Sequence, residues 1–455
     1  MSIFSKKRLR AGILADDAAS NPAEGHVNEI SQRLCKDALN LMLTHRGDPC
    51  ADIEEILADD PKCLLGHCLR AAFIVCTDGD VRLLTESVDV IEAKCSNSEH
   101  PAHRYAAAAR AWRDGDDALA TELFGAILLE YPHDILALAT AHALDFRLGQ
   151  RKLLRDRIAR VIPKWDFGMS GYASLLAMYA FGLEENGQYR RAEKLARRAL
   201  AIDPSHPGAM HVVAHVLEMQ GRAREGLEFL AATEPAWRDG TGFSVHLAWH
   251  RGLFYLDADD PVSALAVYDE QIANAPTAGM AVLADASALL WRLHLRNIEV
   301  GERWQLLADR WEIQSLTGAR PFYIIHAVMA LAAASRNNAI ADALQTLPYI
   351  GTTSVSSPPP EEALAGPFCE ALIAFTRGEY AASIERLTRV RHITHRCGGS
   401  LAQCDLVHLT FTEAALRSSK MRLARALVAE RAAQKPASLL NRLLQHRLKI
   451  LPAMA

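Results

Sequence analysis

The chain has 455 residues, half of them apolar and 23% charged, with a formal net charge of −4. This is ordinary water-soluble composition, and without a strongly basic balance it argues against nucleic acid as a partner. Ala, Leu, Arg and Glu, all strong helix formers, dominate their classes, and alternating Val/Ile/Thr runs are almost absent, which argues against a sheet of any size.

Residues 1–25 read as a disordered tail. Its basic run Lys6, Lys7, Arg8 and Arg10 is a solvated terminus more than a targeting signal, and no apolar segment of secretory type follows it. Helical pairs start near His26, and residues 26–350 read as one helical-repeat solenoid with its clearest units over 100–275. The best unit runs from Met178 to Pro204 on the skeleton Gly187-x-Tyr189, Ala192, Ala196, Ala199 and Pro204. Small residues there let two antiparallel helices pack closely, Gly187 turns the chain and Pro204 stops the second helix. The frame recurs at Gly115 with Ala118, Ala120, Phe124 and Pro132. Gly149 lies 34 residues after Gly115, and Gly221 lies 34 after Gly187. Thirty-four is the tetratricopeptide period. The step from Gly149 to Gly187 is 38, so a longer loop holding Pro163, Trp165 and Gly168 is expected there. Later units are looser: Asp259 with Ala264 and Tyr268, then Gly378-x-Tyr380 with Ala382. Residues 351–367, with their SerSerProProPro run, read as a linker or a covering loop, and 368–455 as C-terminal helical repeats. The expected fold is therefore all-α: tetratricopeptide-like helix-turn-helix repeats in a right-handed α-solenoid, extended or curled around a central groove.

The longest apolar stretch, Phe322 to Ala334, has 13 residues and contains His326, which is too short to span a bilayer. Nine cysteines are scattered without a CxxC pair. They read as reduced thiols and place the protein in the cytoplasm. Because no cysteine lies between Cys95 and Cys369, a metal held by the middle of the chain would have nitrogen and oxygen ligands only.

His211 and His215 stand as HVVAH, and Glu218 follows. Positions i, i+4 and i+7 share one face of a helix. In the tetratricopeptide frame the second, fifth, ninth and twelfth residues of the first helix line the inner groove. Counting back from Gly221 as the fifteenth makes His211 the fifth, His215 the ninth and Glu218 the twelfth. The same count from Gly187 puts Phe181 and Glu184 in the groove. In the next unit His246 is second, Trp249 fifth, and His250 sixth at the groove edge. Two HxxxH pairs on adjacent helices resemble the way helical bundles assemble metal sites. Imidazoles with a carboxylate suit Zn or Fe better than Ca or Mg, and such a metal activates a bound water for Glu218 or His215 to serve in acid–base work. The plainer reading gives these histidines to hydrogen bonds with neighbours.

Other candidates read as structural. His142 and Asp145 suggest a His–Asp pair on one helix, and Cys63, His67 and Cys68 suggest buried packing. Asp285 is either an N-cap or a groove residue. His326 needs a partner if buried. Gly398-Gly399-Ser400 is a helix connection, because no strand precedes it. No Ser–His or Cys–His nucleophile arrangement is readable.

These blocks carry a family resemblance. MYAFGLEENGQY, HVVAHVLEMQGR with Glu225-Gly226, His246-xx-Trp249-His250, LAVYDEQI (265–272) and DASALLWRL (285–293) resemble the tetratricopeptide repeat protein 38 family. AHALDFRLG, RDRIARVIPKW, FYIIHAVMAL and GGSLAQCD extend the match in the family's order from about residue 60 to the C-terminus. The resemblance implies a helical-repeat fold and brings no defined activity. It implies histidines at His211, His215, His246, His250 and His326, and acids at Glu184, Glu218, Asp285 and Asp405. Cys404 departs from the family's arginine at that place, and Pro358-Pro359-Pro360 is also particular to this chain. Two functions follow. The first is a groove that binds a small molecule, peptide or partner protein through His, Glu and Trp. The second is a Zn- or Fe-dependent, or His/Glu acid–base, enzyme in the same groove. Neither involves nucleic acid or a membrane.

Overall fold

The computed structural model describes residues 29–95, 100–239, 242–275, 279–347 and 361–450. The tail expected over 1–25 and the triplet Pro358-Pro359-Pro360 lie outside the described residues. Every element among the described residues is helical. The chain divides into two compact units, Met1–Val212 and Val213–Ala455.

The first unit holds α1 (Glu29–Thr44), α2 (Cys50–Asp59), α3 (Leu64–Thr77), α4 (Val81–Lys94), α5 (Pro101–Arg113), α6 (Asp117–Glu130), α7 (Ile135–Arg147), α8 (Arg151–Val161), α9 (Tyr172–Glu184) and α10 (Tyr189–Ile202). The division falls within α11 (Pro207–Met219). The second unit continues with α12 (Ala223–Trp237), α13 (Gly242–Asp257), α14 (Pro261–Val267), α15 (Met280–Leu295), α16 (Arg303–Glu312), α17 (Pro321–Ala333) and α18 (Asn337–Gln345). It ends with α19 (Glu361–Thr376), α20 (Tyr380–Val390), α21 (Leu401–Arg417), α22 (Met421–Gln434) and α23 (Leu439–Ile450). The last part of the stretch read as a linker over 351–367 is thus already helix, from Glu361 on, with Pro367 inside it.

Consecutive helices pack as antiparallel pairs, and one turn chemistry joins most of them. Gly115, Gly149, Gly187 and Gly221 all have positive φ. At each, the next residue's N–H bonds five residues back, as in Gln188 to Leu183 and Arg222 to Leu217. This closes the last carbonyls of the first helix and reverses the chain. The same turn continues where glycine does not: Asp259, Asn297, Ser335 and Ser419 also have positive φ. They are followed by the same bonds, Asp260 to Tyr255, Ile298 to Leu293, Arg336 to Leu331 and Lys420 to Ala415. Gly221, Asp259, Asn297 and Ser335 stand 38 residues apart, so the later units are regular with a longer period.

The small residues of the best repeat act as expected. Ala192, Ala196 and Ala199 are fully buried. Gly182 on α9 lies so close to α8 that an added Cβ would meet the Leu154 carbonyl oxygen at 2.5 Å. Gly182→Ala should therefore cost a net ~1–3 kcal/mol through overpacking, although Ala is the better helix former. A lower urea midpoint at unchanged m value is the expected readout; an equal or higher midpoint would show that the two helices part freely.

Candidate functional site

In the first unit the candidates serve structure. Asp145 is fully buried and accepts from Arg157 Nε at 2.6 Å and Thr121 Oγ1 at 2.7 Å. Its partner is Arg157 and not the expected His142, whose ring meets Phe181 edge-on instead. His67 is held between Ser87 Oγ at 3.2 Å and the Pro61 carbonyl at 3.0 Å, and Cys63 Sγ accepts the Gly66 N–H. Packing accounts for both. His211 falls in this unit, with its ring against Phe181 at 5.6 Å between centroids. Glu184 is fully buried on α9.

In the second unit three imidazoles converge. α11 supplies His215, and α13 supplies His246 and His250. The His215 and His250 ring centroids are 4.6 Å apart, and those of His246 and His250 are 4.9 Å apart. One ring nitrogen from each lies within 4.8 Å of the others. His215 and His250 are fully buried, and His246 is 17% exposed. Trp249 stacks on His246 with rings 5.0 Å apart at 13° and covers one face. The frame therefore placed these residues together, but in a closed interior and not along an open groove. Trp249 and His250 are shut in because α13 is packed by α12, α14 and α15.

Two carboxylates fix the rings. His246 Nδ1 lies 2.8 Å from Asp285 Oδ2, and His250 Nδ1 lies 3.1 Å from Glu218 Oε2. A carboxylate only accepts, so each Nδ1 carries the proton, and in a neutral ring this leaves Nε2 as the acceptor. Asp285 is therefore no N-cap: α15 starts at Met280, more than a turn earlier, after Gly279. Burial pushes His250 well below the ordinary imidazole value, and His215 and His246 beside it push the same way. His326 is buried on α17, donates Nδ1–H to the Phe322 carbonyl at 2.7 Å and sits outside the converging nitrogens. Burial lowers it to about 4.

The sequence reading missed the other side of Glu218. Its Oε1 accepts from Lys435 Nζ at 3.2 Å, and Lys435 is 3.8 Å from Asp405. Arg431 grips Asp405 through both oxygens, at 2.6 and 3.2 Å, and reaches Asn441 Oδ1. Burial alone would raise Asp405; Arg431 and Lys435 overcome it and hold the carboxyl well below its usual range. Lys435 is raised, since Asp405 and Glu218 outweigh its burial. Arg292 lies over the Trp249 ring at 5.3 Å. A buried Lys and Arg late in a helical sequence look like any solvated pair, so only Asp405 signalled this network. Gln403 belongs to the capping box that Ser400 makes at the start of α21, and this confirms Gly398-Gly399-Ser400 as a helix connection. Cys404 Sγ points to the Gly398 and Gly399 carbonyls. Among the described residues no helix is long and apolar enough to cross a membrane.

No family model matches the chain. Among solved structures it is similar to the human IFIT1 dimer with m7Gppp-AAAA, at 14% identity and TM-score 0.37, covering 98% of this chain and 96% of that one. It is similar also to an IFIT1 monomeric mutant with Gppp-AAAA, at 10% identity and TM-score 0.40, covering 96% and 100%. Likeness this distant says nothing about the occupant of the site, and the exclusion of nucleic acid drawn from net charge gains no support from it. The chain is an all-α protein of tetratricopeptide-type helical repeats on the evidence of its own turns and helix pairs.

Proposed function

We propose that this chain is a cytoplasmic metal-dependent member of the tetratricopeptide repeat protein 38 family. In this reading His215, His246 and His250 hold one divalent Zn or Fe ion, at which a small molecule is bound and converted. One observation carries it: two of the three converging imidazoles have Nδ1 tied to a buried carboxylate, Asp285 or Glu218. Histidine ligands are oriented in that way, because the carboxylate fixes the tautomer and raises the basicity of the other nitrogen. One ring nitrogen of each imidazole lies within 4.8 Å of the others, close enough for one ion to be held among them. An all-imidazole donor set suits Zn or Fe and disfavours Mg and Ca.

Neutral imidazole ligands would leave such an ion its charge, and it would supply Lewis acidity toward an oxygen of the small molecule. The chain's own residues do the rest. Trp249 shields His246 from water, and Asp285 and Glu218 orient the rings. Glu218 is held by His250 on one oxygen and Lys435 on the other, which suits an orienting group better than a mobile base. The nine scattered cysteines fit a reducing cytoplasm.

Metal analysis of untagged protein tests the proposal. About one equivalent of Zn or Fe is expected, falling below ~0.1 in a His246→Ala/His250→Ala variant that keeps its helical spectrum. Less than ~0.1 equivalent in the unmodified chain, after purification without chelator and after incubation with either ion, would sink the reading.

A further inference from the structure

The second unit holds a cavity that the imidazoles do not line. It encloses about 210 Å³, and Glu218, on its wall, is its link to them. The apolar part of the wall is leucine: Leu253, Leu256, Leu295 and Leu444 are buried, whereas Leu409, Leu440 and Leu443 are half-buried. Its charged lining sorts into pairs. Arg431 is paired with Asp405, Lys435 with Glu218, and Arg447 with Glu413 at 2.8 Å. Arg296 is paired with Asp259. Asp257 is bonded to Ser438, and burial raises it toward its neutral form.

Arg292 is the exception. It is 6% exposed. Its Nη1 donates to the Ala288 carbonyl of its own helix and its Nη2 to the Ala402 carbonyl at 2.8 Å. No carboxylate lies at ion-pair distance from it among the described residues. Asp405, Glu218 and Asp285 favour its charge from beyond that distance but do not outweigh its burial, so a direct anionic partner would lower the cost of keeping the guanidinium there. Five N–H groups in a planar fork are built to meet a second, anionic acceptor.

We infer that this cavity binds a small anion with an apolar body, an alkyl carboxylate or alkyl phosphate, its head on Arg292 and its chain along the leucines. Arg292 selects against neutral and cationic heads, since a cation there would face a like charge in a dry wall. The leucines select against bare inorganic anions, which leave that apolar surface wet. The inference stands whether or not the imidazoles hold a metal.

Thermal shift and titration calorimetry on the full chain test it, with decanoate, decyl phosphate, inorganic phosphate, decanol and decylammonium as probes. Decanoate or decyl phosphate should bind saturably and raise the melting temperature. Decanol should bind about tenfold more weakly, the worth of one charge-assisted hydrogen bond, and decylammonium and inorganic phosphate more weakly still. Whether carboxylate or phosphate binds better identifies the head group. R292Q should bring decanoate down to the decanol level. Leu443→Glu, which sets a carboxylate at the half-buried wall and leaves the ion pairs intact, should weaken the anions by at least about tenfold and serves if R292Q fails to fold. Metal content should stay as in the unmodified chain in both variants, which separates this result from the fate of the imidazole site. Equal binding of decanol and decanoate, undiminished decanoate binding in a folded Leu443→Glu, or no binding by any alkyl anion would overturn the inference.

Discussion

Acidification from pH 6.5 to pH 4.5 should strip roughly 5 to 8 kcal/mol from the stability of this chain, at about 1.4 kcal/mol per pH unit for each neutral buried imidazole. Three buried imidazoles account for that figure, and His45 and His142, lowered by desolvation to about 4 and about 3, add to it in the same direction. His206 accepts the Ala209 N–H on Nδ1 and so donates Nε2–H to Ser174 Oγ at 2.9 Å. Burial lowers it to about 4. His326 is lowered to about 4 by burial, and His250 falls well below the ordinary value for the same reason. The sign follows from linkage. The folded pKa values lie below the unfolded one near 6.5, so the unfolded chain takes up protons first. The stability is fully present above about pH 6.5 and is lost as pH falls toward the folded values. Since whole domains hold only ~5–15 kcal/mol, most of the margin goes. Urea unfolding at a series of pH values should show the slope, and His326→Leu should flatten it by about one group's share, ~1.4 kcal/mol per unit. A midpoint that stays level from pH 6.5 to 4.5 would mean that these rings are not held neutral.

Arg431→Met should cost about 3–5 kcal/mol at pH 7, the usual penalty for orphaning one side of a buried ion pair. Arg431 is 3% exposed and Asp405 13% at their side chains. The methionine fills similar volume, so the loss reports the stranded Asp405 carboxylate and not a cavity. Asp405→Asn added to Arg431→Met should recover most of it, as neutral isosteres in place of a buried pair are often tolerated. In the unmodified chain the depressed Asp405 contributes stability above the unfolded carboxyl value near 3.9 and loses it only as pH falls below that. In Arg431→Met that protection moves upward, so the variant should gain relative stability when mildly acidified. Denaturant melts of the three proteins at pH 7 and pH 5 measure both effects. Equal midpoints for Arg431→Met and the unmodified chain would show that Lys435 alone balances the acid.

The legible part of the molecule was whatever leaves a periodic trace. Gly187, Ala192, Ala196 and Ala199 announced a helix pair because close packing and a left-handed turn restrict those places to small residues. The same turn at Asp259, Asn297 and Ser335 was harder to see, since Asp, Asn and Ser take positive φ at a modest cost and resemble ordinary loop residues. Counting along the frame put His215, Glu218, His246 and His250 on facing helix surfaces. It could not show that they would be enclosed, because enclosure depends on α12, α14 and α15 packing around α13. Lys435 was unreadable for a related reason. It stands 217 residues from the Glu218 it meets, and nothing local in a Gln-Lys-Pro stretch distinguishes a lysine that faces inward.

Glu218 itself is a fastener of fixed length between α13 and the segment that follows α22. One oxygen is committed to α13 through His250 and the other to the segment after α22 through Lys435. It cannot pivot toward either without letting go of the other. Shortening it to aspartate keeps the charge and withdraws the reach by about one carbon–carbon bond, so a single connection survives. The number of methylenes between backbone and carboxylate is thus part of the specification of the imidazole centre, and glutamate at this position is chosen for its span as much as for its charge.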